Sequence, residues 1–286
     1  MTTYIYALGF FDGVHLGHQA LLRAVKTLAS EGCRGVVTFS GHPDTLVLGT
    51  TPALINTAED RENLLRNYGM DRVVTLPFDK KMQSTPWEDF RFGAMGTGTA
   101  SLLQDYCEKE GLPCAVVPEQ EMSGVRISST YIRELLTQGR MAEADTFLGH
   151  PHVLSGNVVS GRHLGRTLGI PTANLRLPEG VIVPRFGVYA CRALAEGRAY
   201  PAVTNVGTRP TVGGHHITVE PWLLDYDGDL YGKKITLEFL DFLRPEQKFD
   251  SLEDLKAAIL KNAEQTREIV KLKASPPGEL AGRSPD

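Results

Sequence analysis

Residues 3–29 read TYIYALGFFDGVHLGHQALLRAVKTLA, and the order of chemistry in this stretch decides the architecture of the first half of the chain. Thr3 to Leu8 is short, apolar and rich in β-formers, so it predicts a strand. The chain then turns through GFFDGVHLGH into a run with Leu21, Leu22, Val25, Leu28 and Ala29 at helical spacing. Strand, glycine loop and helix form the opening unit of a nucleotide-binding α/β fold. His15 and His18 lie three apart around Gly17 at the start of that helix, so both imidazoles can face one spot. There the helix amides and dipole favour an anion, and glycine lets backbone approach a phosphate. A histidine pair so placed can hold the α-phosphate of a nucleotide as charge builds on it during attack. Two surface histidines at a helix start are the plainer alternative for so short a string; the strand–loop–helix context favours the anion site.

Working outward, Val36 to Phe39 reads as a second strand and Arg72 to Leu76 as a third. Between them Thr57-Ala-Glu-Asp60 resembles a capping box opening a helix that carries Leu64 and Leu65 and stops near Gly69. Such alternation predicts a parallel sheet with right-handed crossovers. Further on, Arg126-Ile-Ser-Ser-Thr-Tyr-Ile-Arg133 places hydroxyls where they can cap a new helix with an arginine in its first turn, a second site suited to phosphate oxygens; standing alone, the string reads as a plain N-cap followed by a solvated arginine.

The chain has 286 residues, enough for about two domains. Its character changes near Gly149-His150-Pro151, which predicts domains at 1–149 and 150–272 and a disordered tail at 273–286, rich in Pro, Gly and Ser. The second half reads as short β segments, Val153 to Val159, Val188 to Leu194, Ala202 to Val206, Ile217 to Asp225 and Lys234 to Phe239, favouring a small barrel or sandwich. A final helix is announced by Ser251-Leu-Glu-Asp254 and carries Leu252, Leu255, Ile259 and Ile269 on roughly one side.

Hydrophobic residues make up 42% and charged residues 22%, which excludes whole-chain disorder. Thirty Lys and Arg against 34 Asp and Glu give a net charge of −4, without the basic excess of a nucleic-acid binder. No positively charged leader opens the sequence and no run approaches ~18 apolar residues, so the expected address is the cytoplasm, with no membrane partner. Cys33, Cys107, Cys114 and Cys191 form no CxxC pair, which suits thiols rather than a disulfide framework or zinc site.

The second chemical constellation is GNVVSGRHLGRTLGIPTANL at Gly156 to Leu175. Four glycines around two arginines make a loop whose backbone can wrap a polyphosphate, while Thr172 and Asn174 offer neutral oxygens suited to a Mg²⁺-bound nucleotide; the glycines alone read as a plain β-connection, and the PTAN string is the more specific signal. Glu220, on a strand-like run with apolar neighbours, can accept a proton from a substrate hydroxyl attacking a γ-phosphate, although by itself it reads as a solvated strand residue. His163 and the His215-His216 pair have no third ligand at useful spacing and read as exposed loop histidines.

These motifs carry a resemblance. GFFDGVHLGHQ, TFSGHP at Thr38 to Pro43, DFRFG at Asp89 to Gly93 and ISSTYIR resemble the successive motifs of the FAD synthetase module of the prokaryotic bifunctional riboflavin kinase/FAD synthetase family, itself similar to the wider HxGH nucleotidyltransferases. The second half is similar to that family's riboflavin kinase domain, through GxVxxGxxxGRxLGIPTANL, then PRFGVYA at Pro184 to Ala190, NVGTRPT at Asn205 to Thr211, the VE and LYG segments, and LRPEQKF at Leu243 to Phe249. The resemblance implies a Rossmann-like nucleotidyltransferase domain followed by a mostly β barrel kinase domain with a C-terminal helix. It implies phosphorylation of riboflavin to FMN and adenylylation of FMN to FAD, each with ATP and Mg²⁺.

Carried onto this sequence, the resemblance implies that Gly9, Phe11, Asp12 and Gly17 shape the first nucleotide site. His15 and His18 would line the α-phosphate; Ser128, Ser129, Thr130 and Arg133 would hold the outgoing phosphates. In the kinase half, Gly161, Arg166 and Gly169 would wrap ATP, Thr172 and Asn174 would bind its metal, Glu220 would be the general base, and Arg244 would lie in the segment closing over the flavin. The chain departs from the pattern at Phe10, where the family has Asn, and at Gly41, where it has Pro. It also fuses STPWEDF with DFRFG, where the family places a helix and a further parallel strand. Two alternatives stay open: a riboflavin kinase carrying an inactive synthetase half, and a non-catalytic flavin-binding protein.

Overall fold

The computed structural model describes residues 4–42, 44–45, 49–79, 100–160, 169–211 and 214–273. By packing, the chain divides into two compact units, Met1–Leu54 with Arg61–Ser128, and Ile55–Asp60 with Ser129–Asp286.

In the first unit, strand β1 (Tyr4–Leu8) leads through a 3-10 turn at Asp12–Val14 into helix α1 (Leu16–Leu28), and strand β2 (Cys33–Phe39) returns parallel to β1. Helix α2 (Ala58–Asn67) straddles the division, and strand β3 (Arg72–Leu76) pairs parallel with β2. The predicted parallel sheet therefore forms, in the order β1-β2-β3, with β1 at an edge among the described residues. β2 begins at Cys33 rather than Val36. The Arg34-Gly35 step hides the strand from pattern reading, yet a Cβ at Gly35 would stand 2.2 Å from the Tyr6 ring, so the small residue lets that ring lie across the sheet. Leu22, Val25 and Ala29 of the α1 stripe are buried with Val36, Phe39, Leu64 and Leu65, while Leu28 is exposed. Helix α3 (Ala100–Lys109) and the short hairpin of β4 (Glu121–Met122) and β5 (Val125–Arg126) complete the unit. The fused STPWEDFRFG segment lies outside the described residues.

The second unit opens with a helical pair, α4 (Ser129–Gln138) and α5 (Met141–Leu148), which closes on a left-handed Gly149. Their apolar faces are buried, with Leu135, Leu136, Met141, Ala144 and Leu148 at 0–1% exposure. Next comes a closed antiparallel barrel of β6 (His152–Val159), β7 (Asn174–Arg176), β8 (Gly187–Ala195), β9 (Arg198–Thr211), β10 (Gly214–Leu223) and β11 (Lys234–Arg244), in the order β10-β7-β6-β11-β8-β9. Closure removes the open edges that a six-stranded sheet otherwise exposes. β9 and β10 pair from Thr211 and Gly214 onward, so the backbone of His215 and His216 lies in strand, not in a loop as the sequence suggested. Gly187 is needed at φ +152, because a Cβ there would stand 2.5 Å from the Arg244 carbonyl oxygen on β11.

The short segment from Ile55 to Asp60 fastens to β6: Asn56 Nδ2 donates to the Val153 carbonyl at 3.3 Å, and the Asp60 carboxylate accepts from Ser155. Helix α6 (Leu252–Leu272) starts on Ser251, whose Oγ accepts from the Asp254 amide at 3.0 Å. Its buried residues are Asn262, Ala263 and Thr266, of which Ala263 packs with Val188, Val203 and Leu224; Leu252, expected on that face, is 69% exposed. Residue 273 is the C-cap of this helix, and the rest of the expected tail lies outside the described residues.

Candidate active sites

The turn after β1 is built from backbone that side chains resist. Phe11, Gly13 and Val14 have φ of 59°, 81° and 40°, the last on a β-branched residue. Strain of this kind persists only where the surroundings over-determine it. Here the Phe11 and Val14 side chains are wholly buried, Asp12 is 2% exposed, and Thr38 Oγ1 donates to the Phe10 carbonyl at 2.9 Å. Gly9 sits where a Cβ would press on the Phe11 ring at 3.2 Å.

The turn delivers His15 as the N-cap of α1, its Nδ1 accepting from the His18 amide at 3.3 Å. The two imidazoles stack at 3.7 Å and 17°, with Phe11 5.1 Å from His18. Their predicted convergence is thus present. Burial, then His15, then Arg61 hold the His18 pKa well below the ordinary imidazole value of 6.5, so the ring is neutral near pH 7. Gly17 leaves room for this: a Cβ would stand 3.2 Å from the His15 ring and 3.7 Å from the Ile127 carbonyl oxygen. That contact brings the start of the ISSTYIR segment against the turn. Ser128 ends the first unit, while Ser129, Thr130 and Arg133 occupy the opening turns of α4 in the second.

In the second unit two cavities meet at one residue. The smaller, of about 90 Å³, is lined by Pro171, Thr172, Ala173, Tyr226, Asp229 and Tyr231 among others. The larger, of about 360 Å³, is lined by Ile170, Thr172, Asn205, Glu220, Trp222, Arg244, Phe249 and the α6 residues Leu255, Ile259 and Asn262. Thr172 belongs to both. Glu220 stands opposite Asn205 in the β9–β10 ladder, so the Glu220 carboxylate and the Asn205 amide reach the larger cavity together; Asn174 opens β7 opposite Val159 and is not among the lining residues of either cavity. Arg244 donates from Nε to Asn262 Oδ1 at 3.0 Å and lies 5.4 Å from the Phe249 ring centroid; burial lowers its pKa. Gly169 adopts φ +72 before Ile170; Gly161, His163 and Arg166 lie outside the described residues.

Sequence reading had not singled out Asn205, Trp222, Phe249 and Asn262 as site residues. Asn205 and Phe249 stood inside quoted motifs, whereas Trp222 and Asn262 carried no signal, since only barrel closure and helix docking bring them to the cavity. Among the described residues no cluster of three or more His, Cys, Asp or Glu gathers for a metal. The hydroxyl of Thr172 and the amide oxygen of Asn174 are hard neutral donors, a set that fits an ion taking most of its ligands from phosphate and water.

A family profile described as riboflavin kinase matches residues 148–270, and one described as FAD synthetase matches residues 2–90. The bifunctional riboflavin kinase/FMN adenylyltransferase of Escherichia coli K12 is 36% identical over 289 residues, covering 93% of this chain and 92% of that protein. Its counterpart in Listeria monocytogenes is 30% identical over 287 residues, covering 92% and 91%. A solved structure described as a macrolide-efflux protein from Streptococcus pneumoniae superposes with a TM-score of 0.80 at 30% identity, covering 96% of this chain and 95% of that one. Among the described residues no helix is long and apolar enough to cross a membrane.

Proposed function

The chain belongs to the bifunctional riboflavin kinase/FMN adenylyltransferase family, and from that premise we propose that it carries out both reactions: ATP-dependent phosphorylation of riboflavin in the barrel unit, and adenylyl transfer from ATP to FMN at the histidine turn. Matches to both halves favour this reading over a kinase with an inactive synthetase half and over a non-catalytic flavin binder. The net charge of −4 supports small-molecule substrates rather than nucleic acid, and the proposed setting is the cytoplasm.

One observation carries the kinase assignment: Thr172 lines both cavities. A phosphoryl group must pass between two substrates, and a shared wall residue marks where they meet. The larger cavity, with Trp222 and Phe249, suits the flat flavin; the smaller, meeting it at Thr172, would take the terminal phosphate end of the nucleotide. Glu220 takes the proton of the ribityl 5′-hydroxyl as its oxygen forms a bond to the γ-phosphorus and the bond to ADP breaks. Thr172 and Asn174 would hold Mg²⁺ on the ATP phosphates, where the ion neutralises developing charge. Arg244, fixed by Asn262, closes the flavin side.

In adenylyl transfer the FMN phosphate oxygen attacks the α-phosphorus of ATP and pyrophosphate leaves. In this reading His15, His18 and the start of α1 stabilise the charge that builds on the α-phosphate, a role that the stacking of the two rings at the helix N-terminus supports. The family resemblance alone assigns Ser128, Ser129, Thr130 and Arg133 to the departing phosphates; the work is positioning and charge stabilisation.

Time courses with ATP and Mg²⁺, started from riboflavin or from FMN and resolved by chromatography, test both halves. Wild-type protein should make FAD in both. Glu220→Gln should lose FMN formation while still binding riboflavin, and His18→Ala should lose FAD formation while FMN still forms. An unchanged rate in either variant removes that residue from its role.

A further inference from the structure

Arg61 is the bulkiest of the fully buried side chains, at 1% exposure. Its Nη2 donates to the Phe39 carbonyl at the end of β2, 2.7 Å away, and its guanidinium lies over the Phe10 ring with Cζ 4.4 Å from the centroid. Phe10 in turn meets the His42 ring edge-on at 4.7 Å. Nη1 is buried without a hydrogen-bond partner. A guanidinium does not give up its proton in a folded protein, so this unit encloses a whole positive charge. The field of Asp12 favours that charge, but the loss of solvent outweighs it.

The field of this cation reaches the histidine pair. His18 is faced by His15 from the start of α1, by Phe11 from the turn and by the Arg61 charge from α2, with Asp12 acting on Arg61. Its Nδ1 is also buried and unpartnered. The same arginine therefore does two things at once. It fixes the Phe10 ring and the end of β2 behind the turn, and it disfavours a proton on the imidazole packed against His15.

We propose that Arg61 is a positioning residue for adenylyl transfer, clamping Phe10 and the end of β2 behind the His15–His18 pair and setting the field in which that pair meets the phosphate. The proposal rests on the adenylyltransferase reading of this turn. It also gives Phe10 a place. Where the family carries Asn, this chain carries a ring that a buried guanidinium can cover.

Arg61→Met and Arg61→Lys in the full chain test this, with three readouts: the His18 ring-proton titration by NMR, kcat and KM for FAD formation from FMN, and FMN formation from riboflavin as a control in the other unit. Arg61→Met should raise the His18 pKa toward 6.5, because one of its three depressing causes is gone. It should lower kcat for FAD roughly tenfold or more, leave KM for FMN nearly unmoved, and leave riboflavin phosphorylation intact. Arg61→Lys, which keeps the charge but loses the planar fork, should keep the wild-type His18 titration with a smaller loss of kcat. Wild-type kcat and titration in Arg61→Met overturn the proposal. So does an equal kcat loss in both variants with the titration unmoved, which is what filling the core alone predicts. If Arg61→Met loses the NMR dispersion of the α/β unit, Arg61→Lys decides: unchanged kcat refutes the positioning role, and reduced kcat at unchanged KM supports it. If wild-type protein makes no FAD from FMN, the adenylyltransferase reading itself fails and this proposal falls with it.

Discussion

His152 at the start of β6 is fully buried, and neither ring nitrogen has a partner. Burial, then His150, lowers its pKa to about 3. Between pH 6.5 and about 3 the unfolded chain binds a proton that the native state refuses, so this residue lowers stability as pH falls through that window. Asp145 on α5 has the opposite sign. Burial raises its pKa to about 7 against the partial relief of Lys273 and the His152 amide, so the native state binds the extra proton between pH 3.8 and about 7 and stability falls as pH rises. The two offset each other where the windows overlap. His152→Phe should therefore be more stable than wild type by about 1–3 kcal/mol at pH 7, from removal of unsatisfied polar atoms. Its advantage should grow by about 1.4 kcal/mol per pH unit on acidifying below 6.5. Urea unfolding at several pH values reads both, and a constant difference would show that His152 titrates normally in the native state. Neither His152 nor Arg61 was legible in the sequence: each follows an ordinary polar pattern, and only the packing of distant strands closes water off. Thr172 and Glu220 were marked in the sequence by the motifs around them rather than by their own chemistry, since a lone Glu220 reads as a solvated strand residue, and it is barrel closure that brings both to one cavity.

At the level of elements, capping chemistry was the most readable signal, and Thr57 with Asp60 and Ser251 with Asp254 both form the hydrogen bonds their spacing predicts. Less readable were the extent of β2, hidden at Gly35, and the inner face of α6, where Asn262, Ala263 and Thr266 are the buried residues while Leu255 and Ile259 line the larger cavity. Helix α1 shows how an element's own preference yields to its site. Gly17 lies in its first turn, where Ala is favoured by up to about 1 kcal/mol. A methyl group there would press on the His15 ring from 3.2 Å. Gly17→Ala should thus leave thermal stability equal or slightly raised while FAD formation falls roughly tenfold or more through misplacement of the ring, with FMN formation unaffected. Wild-type FAD kinetics in this variant would mean that the stacked arrangement of the histidines is not needed for the reaction.

For the molecule as a whole, the change of composition near residue 149 marks where β chemistry begins, and 150–272 remains the proposed kinase domain. Packing adds more to that unit: α4 and α5 cover their apolar faces within it, α5 against β6 and β11, and Ile55–Asp60 is fastened to β6. None of this was legible, because helices at a domain junction show the same stripe whichever neighbour they pack on. The consequence is measurable in fragments. Residues 129–273 keep the helical pair, the acceptor that Asp145 offers to the His152 amide, and Lys273, whose Nζ donates to the Leu240 carbonyl at 2.6 Å. Residues 150–272 lose all three. Each large apolar side chain left uncovered costs about 1.5–3 kcal/mol, and the barrel face beneath α5 is such a surface. The longer fragment should melt about ten degrees or more above the shorter one, with both still forming FMN from riboflavin, since every described residue of the two cavities lies after Ser129. Equal melting temperatures would reduce the helical pair to a passive covering; loss of FMN formation in the short fragment alone would make it part of what holds the barrel in its catalytic shape.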